Sequence, residues 1–280
     1  MTEQQHEEII ARIARGIADG YANRGVRITA ISGPSSSGKT TFSMRLCRAL
    51  SDCGLDPVQI SLDDYFIDRE LTPRDADGNY DFEALECVDI ALLGEQLQTL
   101  VAGGSVTVPL YDFVSGHRKW HDTPLQLGAR PVIVLEGLHA LNPALLPSVD
   151  RDLIYGIYVS VEPSATVPDG ADTRLLRRIS RDFAHRGHSP AATIGMWESV
   201  RRGERRNIDP YKGNADVRFD SGLDYEIGVL RTKTEPLLRG VDGDSEACGT
   251  ARRLLSLLER AKPLPVDMVP PQSLLCEFVS

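Results

Sequence analysis

The sequence predicts an α/β fold, a parallel sheet flanked by helices. Three observations carry that expectation. Residues 26–32, 57–62, 132–135 and 152–161 read as short strands with apolar residues on both faces, the pattern of strands covered on both sides. Helical stretches separate several of these strands, and strand–helix alternation points to a parallel sheet. Gly33 onward, Asp63, Asp64 and Glu136, the residues richest in chemistry, all follow such strands. Sheets of this type hold ligands at the carboxyl ends of their strands.

Taken in order, residues 7–22 place Ile9, Ile10, Ile13, Ile17 and Tyr21 at three- and four-residue spacing, an amphipathic helix in a leading segment of residues 1–25. A stripe of this kind most commonly packs on its own domain. A domain spanning 26–261 follows, with helices at 40–50 and 88–101 between the first strands. Residues 172–186 and 190–207 are Arg-rich helical stretches that form a lid at about 172–208. Two short strands are expected within 215–230 and a Leu-rich helix at about 247–261. The tail, 262–280, is Pro-rich and reads as irregular.

The net charge of −9 argues against a general binder of nucleic acid or anionic membranes, so any anion site must be a local concentration of positive groups. Five scattered cysteines without a CxxC pair fit reduced thiols and offer no zinc framework. The opening MTEQQHEEII is unlike a signal peptide, and no apolar run approaches the roughly 20 residues that span a bilayer. A cytoplasmic protein is the expectation.

The most informative stretch is Gly33-Pro34-Ser35-Ser36-Ser37-Gly38-Lys39-Thr40, which fits GxxxxGK[ST] after a strand and before a helix. Glycines let successive backbone amides turn inward on phosphate oxygens, and the helix N-terminus adds positive dipole. The fold expected is therefore of the P-loop NTPase type. Gly33, Ser35, Ser36, Ser37, Gly38, Lys39, Thr40 and Thr41 are candidates for binding ATP. Lys39 would reach the β- and γ-phosphates, and the Thr40 hydroxyl would ligate Mg²⁺. Glu136, at the end of the apolar strand VIVLEG, would hold the magnesium shell opposite Thr40; its bland alternative is a helix cap.

A triphosphate site serves hydrolysis, signalling or transfer, and two features favour transfer to a small hydroxyl. Asp63 follows the second strand, where a carboxylate can accept the proton of an attacking hydroxyl. Its neighbour Asp64 is the better candidate for a turn or cap. Arg174, Arg177, Arg178 and Arg181 share one helical face, with Arg186 a little further on, and only Asp172 and Asp182 lie near them in sequence. Four like charges on one stripe repel, so a mobile helix that closes guanidiniums over a transferring phosphoryl group is expected.

GPSSSGKTT, ISLDDYF, VPLYDFVSGHRK, VIVLEGLHAL and DTRLLRRISRDFAHRG occur in one order over roughly residues 26 to 235. Together they resemble the uridine kinase/phosphoribulokinase group of P-loop kinases, the uridine–cytidine kinases most closely. The resemblance implies transfer of the γ-phosphoryl of ATP, with Mg²⁺, to a nucleoside 5′-hydroxyl, by an enzyme that forms oligomers. It implies that Asp63 is the general base and that Asp81 and Arg174 hold the ribose hydroxyls. It further implies that Arg177 contacts the γ-phosphate and that Tyr111 and Phe113 line the base pocket. Arg178 and Arg181 join the donor site, and Arg186 the substrate site. Three positions depart from the family pattern. Gly116 stands where a base-contacting His is usual, with His117 one place later. Ala192 replaces a base-reading Gln, and Phe66 a Tyr.

Two weaker signals are set aside. DADGNYDFEALE, 75–86, has calcium-loop acids but Tyr80 where the loop needs Gly; a turn at Asp77-Gly78 is the simpler reading. His117 and His121 have the spacing of a helical metal pair but no third ligand. The expected acceptor is a small molecule, most readily uridine or cytidine. A kinase of another hydroxylated metabolite is the alternative, and a P-loop ATPase switch a further one.

Overall fold

The structure, a computed structural model, describes residues 1–75, 78–243 and 246–279. Helix α1 (Glu3–Asn23) leads into strand β1 (Ile28–Ser32), helix α2 (Lys39–Asp52), strand β2 (Asp56–Ser61) and helix α3 (Ile90–Val101). Four short strands follow, β3 (Ser105–Val106), β4 (Pro109–Asp112), β5 (His117–Trp120) and β6 (Leu125–Gln126). They form two antiparallel ribbons, β3 with β6 and β4 with β5. Next come β7 (Pro131–Glu136), β8 (Ile154–Ser160), α4 (Gly170–His185), α5 (Pro190–Asn207) and β9 (Val217–Asp220). Helices α6 (Glu226–Arg239), α7 (Glu246–Leu258) and α8 (Cys276–Val279) complete the order.

The main sheet runs β2-β7-β1-β8-β9, every neighbouring pair parallel. Side chains alternate between its two faces. Ile133 and Leu135 of β7 join Ile28, Ala30 and Ile60 in a core under α3, whereas Val132 and Val134 join Ile31, Ile157 and Val159 under α1 and α2. This two-sided burial is why the central strands β7, β1 and β8 carry no polar face. The expected stripe of α1 packs there through Ile10, Ile13 and Ile17. Its N-terminus is closed by a reciprocal pair: Gln5 N–H donates to Thr2 Oγ1 and Thr2 N–H to Gln5 Oε1. A third core joins α4, α6, α7 and α8 through Leu175, Leu176, Ile179, Leu230, Leu254 and Phe278.

Two expectations change. Within 215–230 only β9 is a strand, and Glu226 begins α6. Its buried Ile227, Leu230, Thr234 and Leu238 show helical spacing only when followed past residue 230. Second, the tail is not irregular throughout: Leu274, Leu275, Phe278 and Val279 are buried, and α8 packs on α4. The Arg-rich helix α4 buries Leu175, Leu176 and Ile179 against the helices behind it and presents Arg178, Arg181 and Arg186 to the site. In the turn expected at Asp77-Gly78, Gly78 has φ +82°, and Asp77 lies outside the described residues. His117 lies on a strand, which removes the helical spacing a His117–His121 pair would need. No helix among the described residues is long and apolar enough to cross a membrane.

Candidate active site

The parallel register brings the strand ends together. Ile31 lies beside Glu136, and Ser61 lies beside Glu136 on the other side. The chain leaves β1 at Ser32, enters the glycine-rich loop and starts α2 at Lys39. Gly38 sits at φ +86°, left-handed backbone that glycine adopts without strain. Ser36, at φ +59°, adopts it despite its side chain, an uncommon conformation that tends to occur at functional sites.

Glu136 is buried at the centre of this convergence. Thr40 Oγ1 donates to Glu136 Oε1 at 3.2 Å, and Ser61 Oγ donates to the same oxygen at 2.8 Å. Burial, then the charge of Asp63, pushes the Glu136 carboxyl up to about 7. A nearby cation would reverse that shift. The donor set, a hydroxyl and a carboxylate, would suit a hard cation such as Mg²⁺. No cluster of three or more His, Cys, Asp or Glu able to hold a metal occurs among the described residues, and such an ion needs none. The loop likewise fits a polyphosphate: the buried hydroxyls Ser36 Oγ and Ser37 Oγ have no hydrogen-bond partner. Lys39 Nζ donates to Pro34 O at 3.1 Å, folded back along the loop.

A cavity of about 500 Å³ opens over this loop. Ser35, Ser36, Gly38, Lys39, Thr40, Asp63 and Glu136 line its donor end. Phe66, Tyr111 and Phe113 form an aromatic wall, with ring centroids 5.1 to 6.3 Å apart and edge-to-face. The two neighbouring acids separate cleanly. Asp63 lines the cavity, whereas Asp64 accepts from Tyr111 N–H at 3.2 Å.

The arginines of α4 divide into two groups. Arg178, Arg181 and Arg186 line the cavity. Asp182 gathers them at 3.2, 2.8 and 3.8 Å. Burial alone would raise the Asp182 carboxyl, but Arg181, Arg178 and Arg186 together hold it below the usual range. Arg178 also donates to Ser35 Oγ at 2.7 Å, and the Arg186 guanidinium lies 4.3 Å from the centre of the Phe113 ring.

Arg174 and Arg177 are not on the cavity wall. Arg174 makes a two-pronged pair with Glu204 at 2.6 and 2.9 Å and donates to Ser35 O at 2.9 Å. Arg177 is 0% exposed; it pairs with Glu226 at 2.6 Å, donates to Ser221 O at 2.9 Å and reaches Ser36 O at 3.4 Å. Both grip the loop from behind through its carbonyls, and Glu204 also accepts from Ser35 N–H at 3.2 Å. Of the ribose pair implied by the resemblance, neither residue lines the cavity. Asp81 is buried and engaged by Arg206 of α5, away from the cavity wall. His117 is exposed, 3.6 Å from Asp68, and outside the cavity. Gly116 has a steric reason: at φ +79°, a Cβ there would sit 2.7 Å from the Arg69 guanidinium, which fills the space and lines the cavity instead.

Among the lining residues without a signal in the motifs are two acids. Glu83 enters from the stretch before α3, and Glu277 comes from α8, where its Oε2 accepts from Thr41 Oγ1 at 3.1 Å. The same short helix puts the Phe278 ring 5.0 Å from the Arg177 guanidinium. The fall of apolar residues at 274, 275, 278 and 279 was the available sign that this tail packs.

Comparison with known proteins follows the same outline. Residues 28–227 match the model of the phosphoribulokinase/uridine kinase family. A uridine kinase of Staphylococcus aureus (strain JH9) is 31% identical over 215 residues, 75% of this chain and 96% of that protein. Among solved structures, a possible uridine kinase from Bacillus stearothermophilus superposes with a TM-score of 0.50 at 20% identity, over 78% of this chain and 98% of that one. A candidate fructose transport system kinase from Silicibacter sp. TM1040 gives 0.51 at 19% identity, over 75% and 98%. The fold, the converging strand ends and the family match agree: this chain is a member of the phosphoribulokinase/uridine kinase family, a family of P-loop phosphotransferases.

Proposed function

We propose that the protein transfers the γ-phosphoryl group of ATP to the 5′-hydroxyl of a nucleoside, uridine or cytidine before others. The observation that carries this reading is one cavity with Lys39 and Thr40 at one end, an aromatic wall at the other and Asp63 on the same lining. When bound, ATP supplies the phosphoryl group and Mg²⁺ neutralises its charge. Thr40 and Glu136 are the residues that would hold the ion. Lys39, Arg178 and Arg181 stabilise charge on the transferring group. Asp63 accepts the proton of the attacking hydroxyl. Phe66, Tyr111 and Phe113 offer flat apolar faces to a base ring. Cys47, Cys53, Cys87 and Cys276 are free thiols, which fits a cytoplasmic enzyme.

A second reading is favoured by one observation. Arg69 and Arg186 both stand at the acceptor end, and guanidiniums suit a small hydroxylated acceptor that carries its own negative charge. Release of ADP, measured with ATP and Mg²⁺ against a panel of nucleosides, sugars and hydroxy acids, decides between them. Strong stimulation by uridine or cytidine is expected. Stimulation by a hydroxy acid or sugar alone would move the acceptor to the second reading. ATP hydrolysis indifferent to every acceptor would remove the kinase reading.

A further inference from the structure

Glu83 shares the cavity wall with Lys39, Asp63, Tyr80, Phe82 and Arg178. Its side chain is buried, and its Oε2 has no hydrogen-bond partner. Buried carboxyl oxygens are nearly always satisfied in folded proteins, because an unpaired one keeps the cost of leaving water with nothing to offset it. Here the environment makes that cost larger. Burial, then the charge of Glu204, pushes the Glu83 carboxyl up to about 7, with Arg178 and Lys39 opposing.

The fold nevertheless makes room for this group. Gly203 of α5 faces it, and a Cβ there would lie 2.4 Å from the Glu83 Cβ. The backbone is fixed from both sides: Glu83 N–H donates to Asp81 Oδ1 at 3.2 Å, and Asn207 Nδ2 donates to Glu83 O at 2.8 Å. Asp81, two residues earlier, already gives its carboxylate to Arg206. One carboxyl of this segment is therefore committed to the scaffold, and the other is held at the cavity with an oxygen to spare.

We propose that Glu83 binds a hydroxyl of the phosphoryl acceptor, next to the hydroxyl that Asp63 deprotonates. The assignment rests on the kinase reading above and adds a requirement to it, an acceptor with at least two hydroxyls. In a nucleoside the second is a ribose hydroxyl. It donates to the oxygen that has no partner in the protein alone, so Glu83 is satisfied only when the acceptor is present.

The test is steady-state kinetics of wild type, Glu83→Met and Glu83→Gln with uridine, 2′-deoxyuridine and 3′-deoxyuridine, read together with Tm. Methionine keeps the volume and removes the polar oxygens; glutamine keeps a hydrogen-bonding oxygen. Glu83→Met is expected to raise the KM for uridine by about 10- to 100-fold with the KM for ATP unchanged. It should also abolish the preference for uridine over one of the deoxynucleosides, since the group that reads the hydroxyl is gone. Glu83→Gln should recover most of the affinity. Tm should hold or rise in Glu83→Met, because an unpaired buried carboxyl has been replaced by an apolar chain of similar size. An unchanged KM for uridine, or a KM change that comes with a fall in Tm and no rescue by glutamine, would overturn the assignment. Should Glu83→Met not fold, Glu83→Ala, which crowds nothing, goes through the same comparison. If wild type phosphorylates no nucleoside, the nucleoside reading fails by itself. The Glu83 assignment is then tested on whichever polyol or hydroxy acid stimulates ADP release, against that acceptor's own deoxy analogues.

Discussion

Arg177 and Arg181 stand one turn apart on α4 and serve opposite ends of the problem of placing a cation. Arg177 faces away from the cavity, with Glu226, Ser221 and the Phe278 ring around it. Arg181 faces the cavity and shares Asp182 with Arg178 and Arg186. An arginine whose partner is a remote buried carboxylate is a strut, and removing it strands a charge. One that shares a single carboxylate with two neighbours keeps donors for a ligand.

That contrast is most sharply tested by Arg177→Ala. Loss of one partner of a buried pair costs about 3–5 kcal/mol, so urea unfolding should show a drop of that order. A γ-phosphate ligand with no structural role would instead leave stability intact. Phe278→Ala, which removes the ring packed beside the same guanidinium, should cost about 3 kcal/mol in the same assay. A loss below about 1 kcal/mol would show that the tail is not part of the core. On the cavity side the readout reverses. Arg181→Ala should reduce kcat by about 10²-fold, the scale of one charge-stabilising donor, with stability nearly unchanged.

The distances in sequence explain which of these roles could be read in advance. Glu204 and Glu226 lie 30 and 49 residues from the arginines they neutralise. A stripe of four arginines therefore looked unpaired, whereas in the structure Arg178 and Arg181 line the cavity and Arg177 does not. The glycine-rich loop was legible because its function needs contiguous backbone, and the central strands because burial on both faces marks most of their positions. The choice of Asp63 over Asp64 has a physical reason in the structure, where Tyr111 N–H engages the second. Glu83 and Glu277 carry no local pattern, since a single acid enters the site by virtue of where its segment is anchored. At Gly116, a departure from the family motif, the space beside the backbone is filled by Arg69, 47 residues earlier in the chain and unrelated to the motif.

Carboxylates extend the contrast. Glu226 is buried with a guanidinium, whereas Glu136 is buried with two hydroxyl donors. The Glu136 carboxyl rises from an ordinary 4.5 to about 7, so between these values the folded protein holds a proton the unfolded chain has lost. The stability this contributes is full below 4.5 and is lost as pH rises through 7. Glu136→Gln does not titrate. In the absence of nucleotide and Mg²⁺, its Tm relative to wild type should therefore climb from about pH 5 to about pH 8. A difference that is flat or falls with pH would contradict the burial argument. The smallest effect belongs to His117→Ala. Exposed and outside the cavity, its removal should leave kcat/KM for every acceptor within about twofold and stability within about 0.5 kcal/mol.

The account turns on Asp63 as the group that joins the donor end to the acceptor end. ADP release with ATP, Mg²⁺ and the stimulating acceptor should be measured for Asp63→Asn and Asp64→Asn side by side, with ATP affinity as the control. Asp63→Asn should lose on the order of 10²- to 10⁴-fold in kcat while ATP still binds, the scale of general-base catalysis, and Asp64→Asn should lose far less. A larger loss in Asp64→Asn, or full turnover without the Asp63 carboxylate, would contradict it.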